Sequence, residues 1–352
     1  MEPVTHFLTG ACLGRAGFNR QTAYATLAMT LAAEAPDMDM LWGLRGPVSA
    51  LEHHRGITHT FLGAPLMALL VTGAVWLWHQ GRGHRRSRQD GPPVRWGLIW
   101  LFALLADLSH ILLDWTNNYG VRPFFPFNPH WYAGSIFFIF EPVVFAVLLL
   151  GLLAPAIFGL ADREIGLRRP RFRGQGWAIF ALSAMVVVGS WRWAEHRVAL
   201  DMLANQPLNE EAVLRTSINP FPVNPYRWFA VVETKDLYQT AILDTRSGEV
   251  LSRAPEDVYY KPPVTPVIQA AERSWLGRVY LDWSQFPLVE EDNSWGALSG
   301  GEHETQVDFR DLRFAYGIFS SHRRHGGPLG GSVTVGPQGQ IEAMRLDGQV
   351  QH

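Results

Sequence analysis

Residues 1 to 195 alternate long apolar stretches, rich in Leu, Ala, Val, Phe and Trp, with short polar breaks. Residues 196 to 352 are polar, rich in Pro and Gly, and carry most of the acidic side chains. A bilayer crossing needs about 20 mostly apolar residues, and the stretches of that length are Thr60 to Trp78, Gly97 to Trp115, Ser135 to Leu160 and Trp177 to Trp193. Trp76, Trp78, Trp96, Trp100, Trp115, Trp131, Tyr132, Trp177, Trp191 and Trp193 fall at or near their ends, as in an aromatic belt. Two shorter segments, Val4 to Gly17 and Gln21 to Ala35, cannot cross at about 1.5 Å of rise per residue and are predicted to form a hairpin dipping part way into the membrane.

Past residue 195 the period changes. A helical stretch is expected from Arg192 to Asn205, followed by strands at Arg227 to Glu233 and Leu237 to Asp244, where β-branched and aromatic residues alternate. Turns at Thr245 to Gly248 and Gly336 to Gly339 lead into strands at Glu249 to Leu251 and Gln340 to Leu346. Further strands are expected at Arg278 to Trp283, Gln306 to Tyr316 and Gly331 to Val335. The predicted architecture is an α-helical integral membrane bundle of about four spanning helices plus a short N-terminal hairpin, residues 1–195. A small, mainly antiparallel β-rich extramembrane domain, residues 196–352, follows it.

A mean hydropathy of zero and 18% charged residues describe neither half. The formal net charge of -2 provides no general basic surface, so no nucleic-acid partner is expected. The only cysteine, Cys12, excludes an intrachain disulfide and reads as a buried apolar residue. The first residues lack the basic region of a secretory signal, so no cleavage is expected. Arg82, Arg85, Arg86, Arg88 and Arg95 in one linker, and Arg163, Arg168, Arg169, Arg171 and Arg173 in another, put both linkers in the cytoplasm by the positive-inside rule. Residues 196–352 are then expected outside a bacterial inner membrane.

Ionisable side chains cluster at the breaks and ends of the apolar segments. They are His6, Asp37, Asp39, His53, His54, His59, Asp107, His110 and Asp114. Such groups cost several kcal/mol at a membrane unless paired or metal-bound. A lone His at a boundary is more often interfacial than a ligand, and Asp37 and Asp39 could simply cap a helix, but the joint pattern favours a metal. Asp107, His110 and Asp114 stand at i, i+3 and i+7 on one helix face. If the opening hairpin turns on the inner side, His6, Asp37, His59, His110 and Asp114 reach one level and form the core ligand set. His53, His54, Asp39 and Asp107 would be additional or supporting groups. Imidazoles and carboxylates without thiolates suit zinc first and manganese next, with one or two ions. Arg55 is a candidate to hold a phosphate or carboxylate, and Glu141 a candidate ligand or general acid/base. His303, His322, His325 and His352, and the pair Arg323-Arg324, read as solvated.

Thr5-His6, Pro36-Asp37-Met38-Asp39, His54-Arg55-Gly56-Ile57-Thr58-His59 and Asp107-x-x-His110-x-x-x-Asp114 together resemble a bacterial family of inner-membrane-associated proteins regarded as metal-dependent hydrolases, the YdjM-like family. The resemblance covers about residues 1 to 145, and the His-Arg-Gly-x-Thr-His block is its most specific part. The pattern is also loosely similar to zinc-dependent phospholipases C. The resemblance implies a helical membrane protein with a metal site and hydrolase activity. Together with the site's level in the bilayer, it leads to an expected ester or phosphoester hydrolysis of an amphiphilic, lipid-like substrate. The alternatives are a non-enzymatic protein that binds or transports divalent metal or protons, and a structural envelope protein whose metal staples its helices.

Overall fold

The computed structural model describes residues 1–81, 92–164, 174–208, 211–252, 255–292, 304–316 and 329–351. The chain divides into two compact units. One comprises residues 1–39, 55–195 and 220–225, and the other residues 40–54, 196–219 and 226–352. The boundary expected at residue 195 is therefore crossed by two segments, 40–54 and 220–225, that belong with the unit on the other side of it in sequence.

The first unit is helical. Helix α1 (Pro3–Arg15) starts where Glu2 accepts the Thr5 amide at 2.7 Å and Pro3 presets the first turn. It packs antiparallel on the short α2 (Ala25–Ala32), giving the expected hairpin. Contact is close because Gly10 and Gly14 lack side chains: a Cβ on either would lie 2.5 Å from the Met29 carbonyl oxygen or the Thr26 Cα. Helices α4 (Ala64–Gly81), α5 (Trp96–Trp115), α6 (Pro142–Glu164) and α7 (Gln175–Asn205) complete the bundle. One core joins Met29, Met67, Phe102 and Ala106 from α2, α4 and α5. A second joins Leu8, Cys12, Leu113, Leu148 and Ala181 from α1, α5, α6 and α7. Cys12 is fully buried there, as its reading required.

Three helical stretches among the described residues are long and apolar enough to cross a bilayer: Trp96–Trp115, Pro142–Leu160 and Gln175–Asn205. The expected span Thr60 to Trp78 is not a straight helix. It passes the same test only as part of a broken pair, Pro47–His59 followed by Ala64–Gly81. The expected span Ser135 to Leu160 starts seven residues late, at Pro142. Pro142 suits the first turn of a helix, where its missing amide goes unneeded, and it disfavours helical backbone at Glu141 before it. Trp76, Trp78, Trp177, Trp191 and Trp193 are exposed as a belt requires, whereas Trp131 is buried. Residues 82–91 and 165–173, with most of the arginines that set the expected orientation, lie outside the described residues, as do His303, His322, Arg323, Arg324, His325 and His352.

The second unit contains two antiparallel sheets of five strands each, where one small sheet was expected. The first sheet runs β1 (Arg215–Pro220), β2 (Arg227–Glu233), β3 (Leu237–Asp244) and β4 (Glu249–Leu251), with β5 (Val258–Tyr260) also paired to β3. Ala199 and Leu203 from the end of α7 pack on Trp228, Ala230 and Leu243 of this sheet. The second sheet has the order β10 (Gln349–Val350), β9 (Ile341–Leu346), β8 (Gly331–Val335), β7 (Thr305–Asp311), β6 (Pro287–Asp292). Arg278 to Trp283, expected as a strand, lies in helix α9 (Trp275–Trp283), which follows α8 (Pro266–Arg273). Ser274 caps α9 by accepting the Gly277 amide at 3.0 Å, and Leu276, Tyr280 and Trp283 recur at helical spacing to form its buried face. The expected strand Gln306 to Tyr316 stops at Asp311, where the chain enters a 3-10 turn, Leu312–Phe314.

Candidate metal centre

In the first unit, short irregular elements bring distant residues to the last turns of α5. A 3-10 stretch, Ala35–Arg45, starts where α2 has ended and supplies Asp37 and Asp39. A second 3-10 turn, Ile57–His59, supplies His59. Helix α5 supplies His110 and, one turn on, Asp114, while α1 supplies His6. His6, His59, His110 and Asp114 are fully buried, and Asp39 nearly so.

The hydrogen-bond pattern fixes which atoms face inward. His110 Nδ1 is 2.7 Å from the Ala33 carbonyl oxygen, an acceptor only, so Nδ1 carries the proton and Nε2 the lone pair. His59 Nδ1 lies 3.1 Å from Asp39 Oδ2, so His59 likewise turns Nε2 toward His110. The two Nε2 atoms are 3.0 Å apart. Asp37 Oδ1 lies 3.3 Å from His59 Nε2 and 3.6 Å from His110 Nε2. Asp114 Oδ2 lies 3.4 Å and 3.5 Å from the same two nitrogens, and no donor reaches this oxygen among the described residues. Four potential ligand atoms, all within 4.8 Å of one another, thus converge among buried side chains. Acceptors facing acceptors without water repel, and a divalent cation is the species that satisfies all four together. The donor set therefore fits a metal ion held by Asp37, His59, His110 and Asp114.

The surrounding groups position those four. Asp39 Oδ2 also accepts the Arg55 amide at 2.8 Å and the Thr58 hydroxyl at 3.2 Å, locking the carboxylate that orients His59. Asp114 turns its other oxygen, Oδ1, away from the four: it accepts Arg55 Nη2 at 2.8 Å, lies 3.2 Å from His6 Nε2 and meets the Met1 amino group. Arg55 Nη1 donates to the Gly120 carbonyl at 2.7 Å and to Asn117 Oδ1 at 3.3 Å, and its guanidinium lies over the Tyr119 ring. Arg55, expected to hold a phosphate or carboxylate, is buried and engaged with Asp114 and the 117–120 turn. Its own backbone is left-handed, φ +53°, a conformation a non-glycine residue adopts at a cost.

His6 stacks on the His110 ring, 3.7 Å between centroids, and no partner reaches its Nδ1 among the described residues. Asp107 is buried a turn before His110, and both its oxygens lack a hydrogen-bond partner among the described residues. Neither joins the converging four. Glu141, expected as a ligand or general acid/base, pairs with Arg192 Nη1 at 3.0 Å and accepts the Val223 amide at 3.3 Å, while Arg192 also binds the Ile136 and Phe221 carbonyls. His53 and His54 belong to the second unit. There His53 stacks on Trp42 and lies 3.0 Å from the Ser49 carbonyl oxygen, and His54 ends the short helix α3 (Pro47–His53) with its amide on Ala50. The supporting roles of Thr58, Asn117 and the Ala33 carbonyl went unread in the sequence. Asn117, three residues past Asp114, lies beyond the end of α5 and carried no helical signal, and a backbone carbonyl carries none.

Comparison with known proteins places this arrangement in context. Over 153 residues the chain is 27% identical to the uncharacterized protein YfhP of Bacillus subtilis (strain 168), a match that covers 41% of this chain and 43% of that protein. The chain thus spans less than half the length of this relative in the match, and no solved structure matches it. The stretch carrying α1 to α5 and every converging ligand falls within residues 1–198, which match the YdjM inner membrane protein family over more than half of the sequence, and the chain belongs to that family.

Proposed function

We propose that this protein is a membrane-bound, metal-dependent hydrolase that cleaves an ester or phosphoester bond in a lipid or envelope-derived molecule. The observation that carries the reading is the convergence of Asp37 Oδ1, His59 Nε2, His110 Nε2 and Asp114 Oδ2, with both Nδ1 atoms already engaged by Asp39 and Ala33. A divalent ion held there supplies a water acidified to near neutrality and polarises a carbonyl or phosphoryl oxygen. The chain's own residues hold the geometry: Asp39 and Ala33 orient the imidazoles, and Arg55 and His6 engage the face of Asp114 turned away from them. Burial at the end of a spanning helix excludes bulk water and favours an amphiphilic substrate. Imidazoles and carboxylates without thiolates would suit zinc or manganese. On the arginine distribution, residues 196–352 are extracytoplasmic and the centre faces the outer side of the inner membrane.

The same four residues support a second reading, in which an ion would staple α5 to the segments bearing Asp37 and His59 and do no chemistry. Elemental analysis of detergent-purified protein, paired with turnover of a generic phosphodiester and a generic ester, separates the readings. The hydrolase reading expects near-stoichiometric metal and metal-dependent turnover in the wild type, with both lost in the His59→Ala, His110→Ala double variant. Metal without turnover of any ester or phosphoester supports the staple. Equal metal in wild type and double variant overturns both.

A further inference from the structure

Residues 116–141 join the end of α5 to the start of α6, two helices long and apolar enough to cross a bilayer, so the connection lies at a membrane boundary. That boundary is the one nearest the metal centre, because Asp114 stands in the last turn of α5.

Within the connection the segment 121–132 is tightly bonded. Val121 and Tyr132 exchange amide–carbonyl bonds of 2.9 Å, the Phe127 and Asn128 amides both donate to the Phe124 carbonyl at 3.1 Å, and the Phe61 amide donates to the Pro123 carbonyl at 2.9 Å. Phe61 meets Phe124 edge-on at 5.4 Å, and Phe124 meets Tyr132 at 5.7 Å. The one cation of this turn, Arg122, is buried, its guanidinium lying 4.9 Å from the centre of the Phe125 ring and 4.4 Å from that of Trp131. The turn exposes Asn128 and His130 at its far side, but its largest exposed side chains are apolar: Phe127 is 84% exposed, and Phe61, Leu62 and Phe124 are about half exposed. An ordered turn that withdraws its charge and presents large apolar rings is disfavoured against water. The patch continues along α4 through the exposed Leu66, Leu69 and Leu70, so its neighbour along the chain is a face suited to lipid tails.

We propose that Phe61, Leu62, Phe124 and Phe127 form a lip sunk in the bilayer beside the metal centre, against which the acyl chain of a lipid substrate rests. Phe61 follows His59 by two residues, so the lip adjoins the turn that carries one of the four converging groups. The substrate assignment rests on the hydrolase reading; the position of the lip does not.

The test uses the full-length protein in liposomes of phosphatidylethanolamine and phosphatidylglycerol. Phe127→Cys, made with Cys12→Ala, carries an environment-sensitive fluorophore, and Ser247→Cys in the turn after β3 provides an aqueous reference. The lip expects blue-shifted emission at position 127, quenched severalfold more by lipids spin-labelled on the acyl chain than by aqueous iodide, with the reverse order at 247. Quenching at 127 mainly by iodide overturns it. So does shielding from both quenchers, the signature of a second copy or another protein covering the patch. No turnover is read, so failure here leaves the hydrolase reading standing, and failure of the metal and turnover assays leaves the lip standing.

Discussion

At the scale of single residues, Asp39 shows how a carboxylate outside the converging four governs it. Its Oδ2 holds the His59 Nδ1 proton at 3.1 Å and is itself held by the Arg55 amide and the Thr58 hydroxyl. Removing such a partner loosens the tautomer and the ring without deleting a ligand, and costs roughly 10- to 100-fold in metal affinity. Asp39→Ala is expected to weaken binding by that factor in a chelator-competition titration, whereas Asp37→Ala should abolish stoichiometric binding. In the second unit, Asp311 is a buried carboxylate gripped by Arg313 at 2.8 Å through Nη2 and by the Ser284 hydroxyl at 2.8 Å. Burial alone would raise its pKa, but the Arg313 guanidinium more than offsets this and holds it below the ordinary carboxylate value. A depressed folded-state pKa contributes stability that is present above the unfolded value of about 3.9 and is lost as pH falls through the folded value. Denaturant unfolding followed by Trp fluorescence should therefore show stability falling as pH drops below about 4. Asp311→Asn should be less stable at neutral pH and show a shallower acid slope.

At the scale of elements, the α1–α2 hairpin depends on backbone contact. A Cβ at Gly10 would meet the Met29 carbonyl oxygen at 2.5 Å and the Ala33 Cβ at 2.6 Å, and backbone cannot yield as a flexible side chain can. Gly10→Val is expected to lower stability by about 1–3 kcal/mol, the range for overpacking, read as a fall in the thermal midpoint in detergent. The same variant should weaken metal binding, because α1 carries His6 and α2 leads into the residues that bear the Ala33 carbonyl, Asp37 and Asp39. Helix α9 illustrates the opposite relation between sequence and element. Leu276, Tyr280 and Trp283 have helical spacing and Ser274 is a good cap, yet the β-branched and aromatic content of 278–283 mimics a strand; the cap and the buried period decide the outcome.

At the scale of the whole molecule, the candidate metal centre draws on pieces of chain far apart in sequence. The four candidate ligands come from the stretch after α2, the turn before α4, and α5, so an ion would bind the folded arrangement and find no preformed site in the unfolded chain. Ligand binding to the native state alone stabilises by about 2.7 kcal/mol when free metal is about 100 times Kd. Dialysis against a chelator should therefore lower the thermal midpoint, and adding back zinc or manganese should restore it. The His59→Ala, His110→Ala variant should show neither change.

Residues 1–198 placed the chain among inner membrane proteins because long apolar runs, and ionisable groups lodged between them, are properties of composition and spacing that need no coordinates. The three residues of α5 at positions 107, 110 and 114 were legible as one face for the same reason: helical period is local. What separates them was not. Asp107 stays without a polar partner among the described residues, while His110 and Asp114 meet Asp37 and His59, a choice made by the rotation of α5 against 3-10 turns that carry no periodic signal. Arg55 and Glu141 had the chemistry of substrate and proton handling on paper. Packing gave the first to Asp114 and Gly120 and the second to Arg192, because a buried charge is held by whichever opposite charge or carbonyl the fold brings within reach. The sequence alone determined which segments are apolar and which groups could bind a metal; the tertiary structure decided which of those groups face one another, since that depends on contacts between residues far apart along the chain.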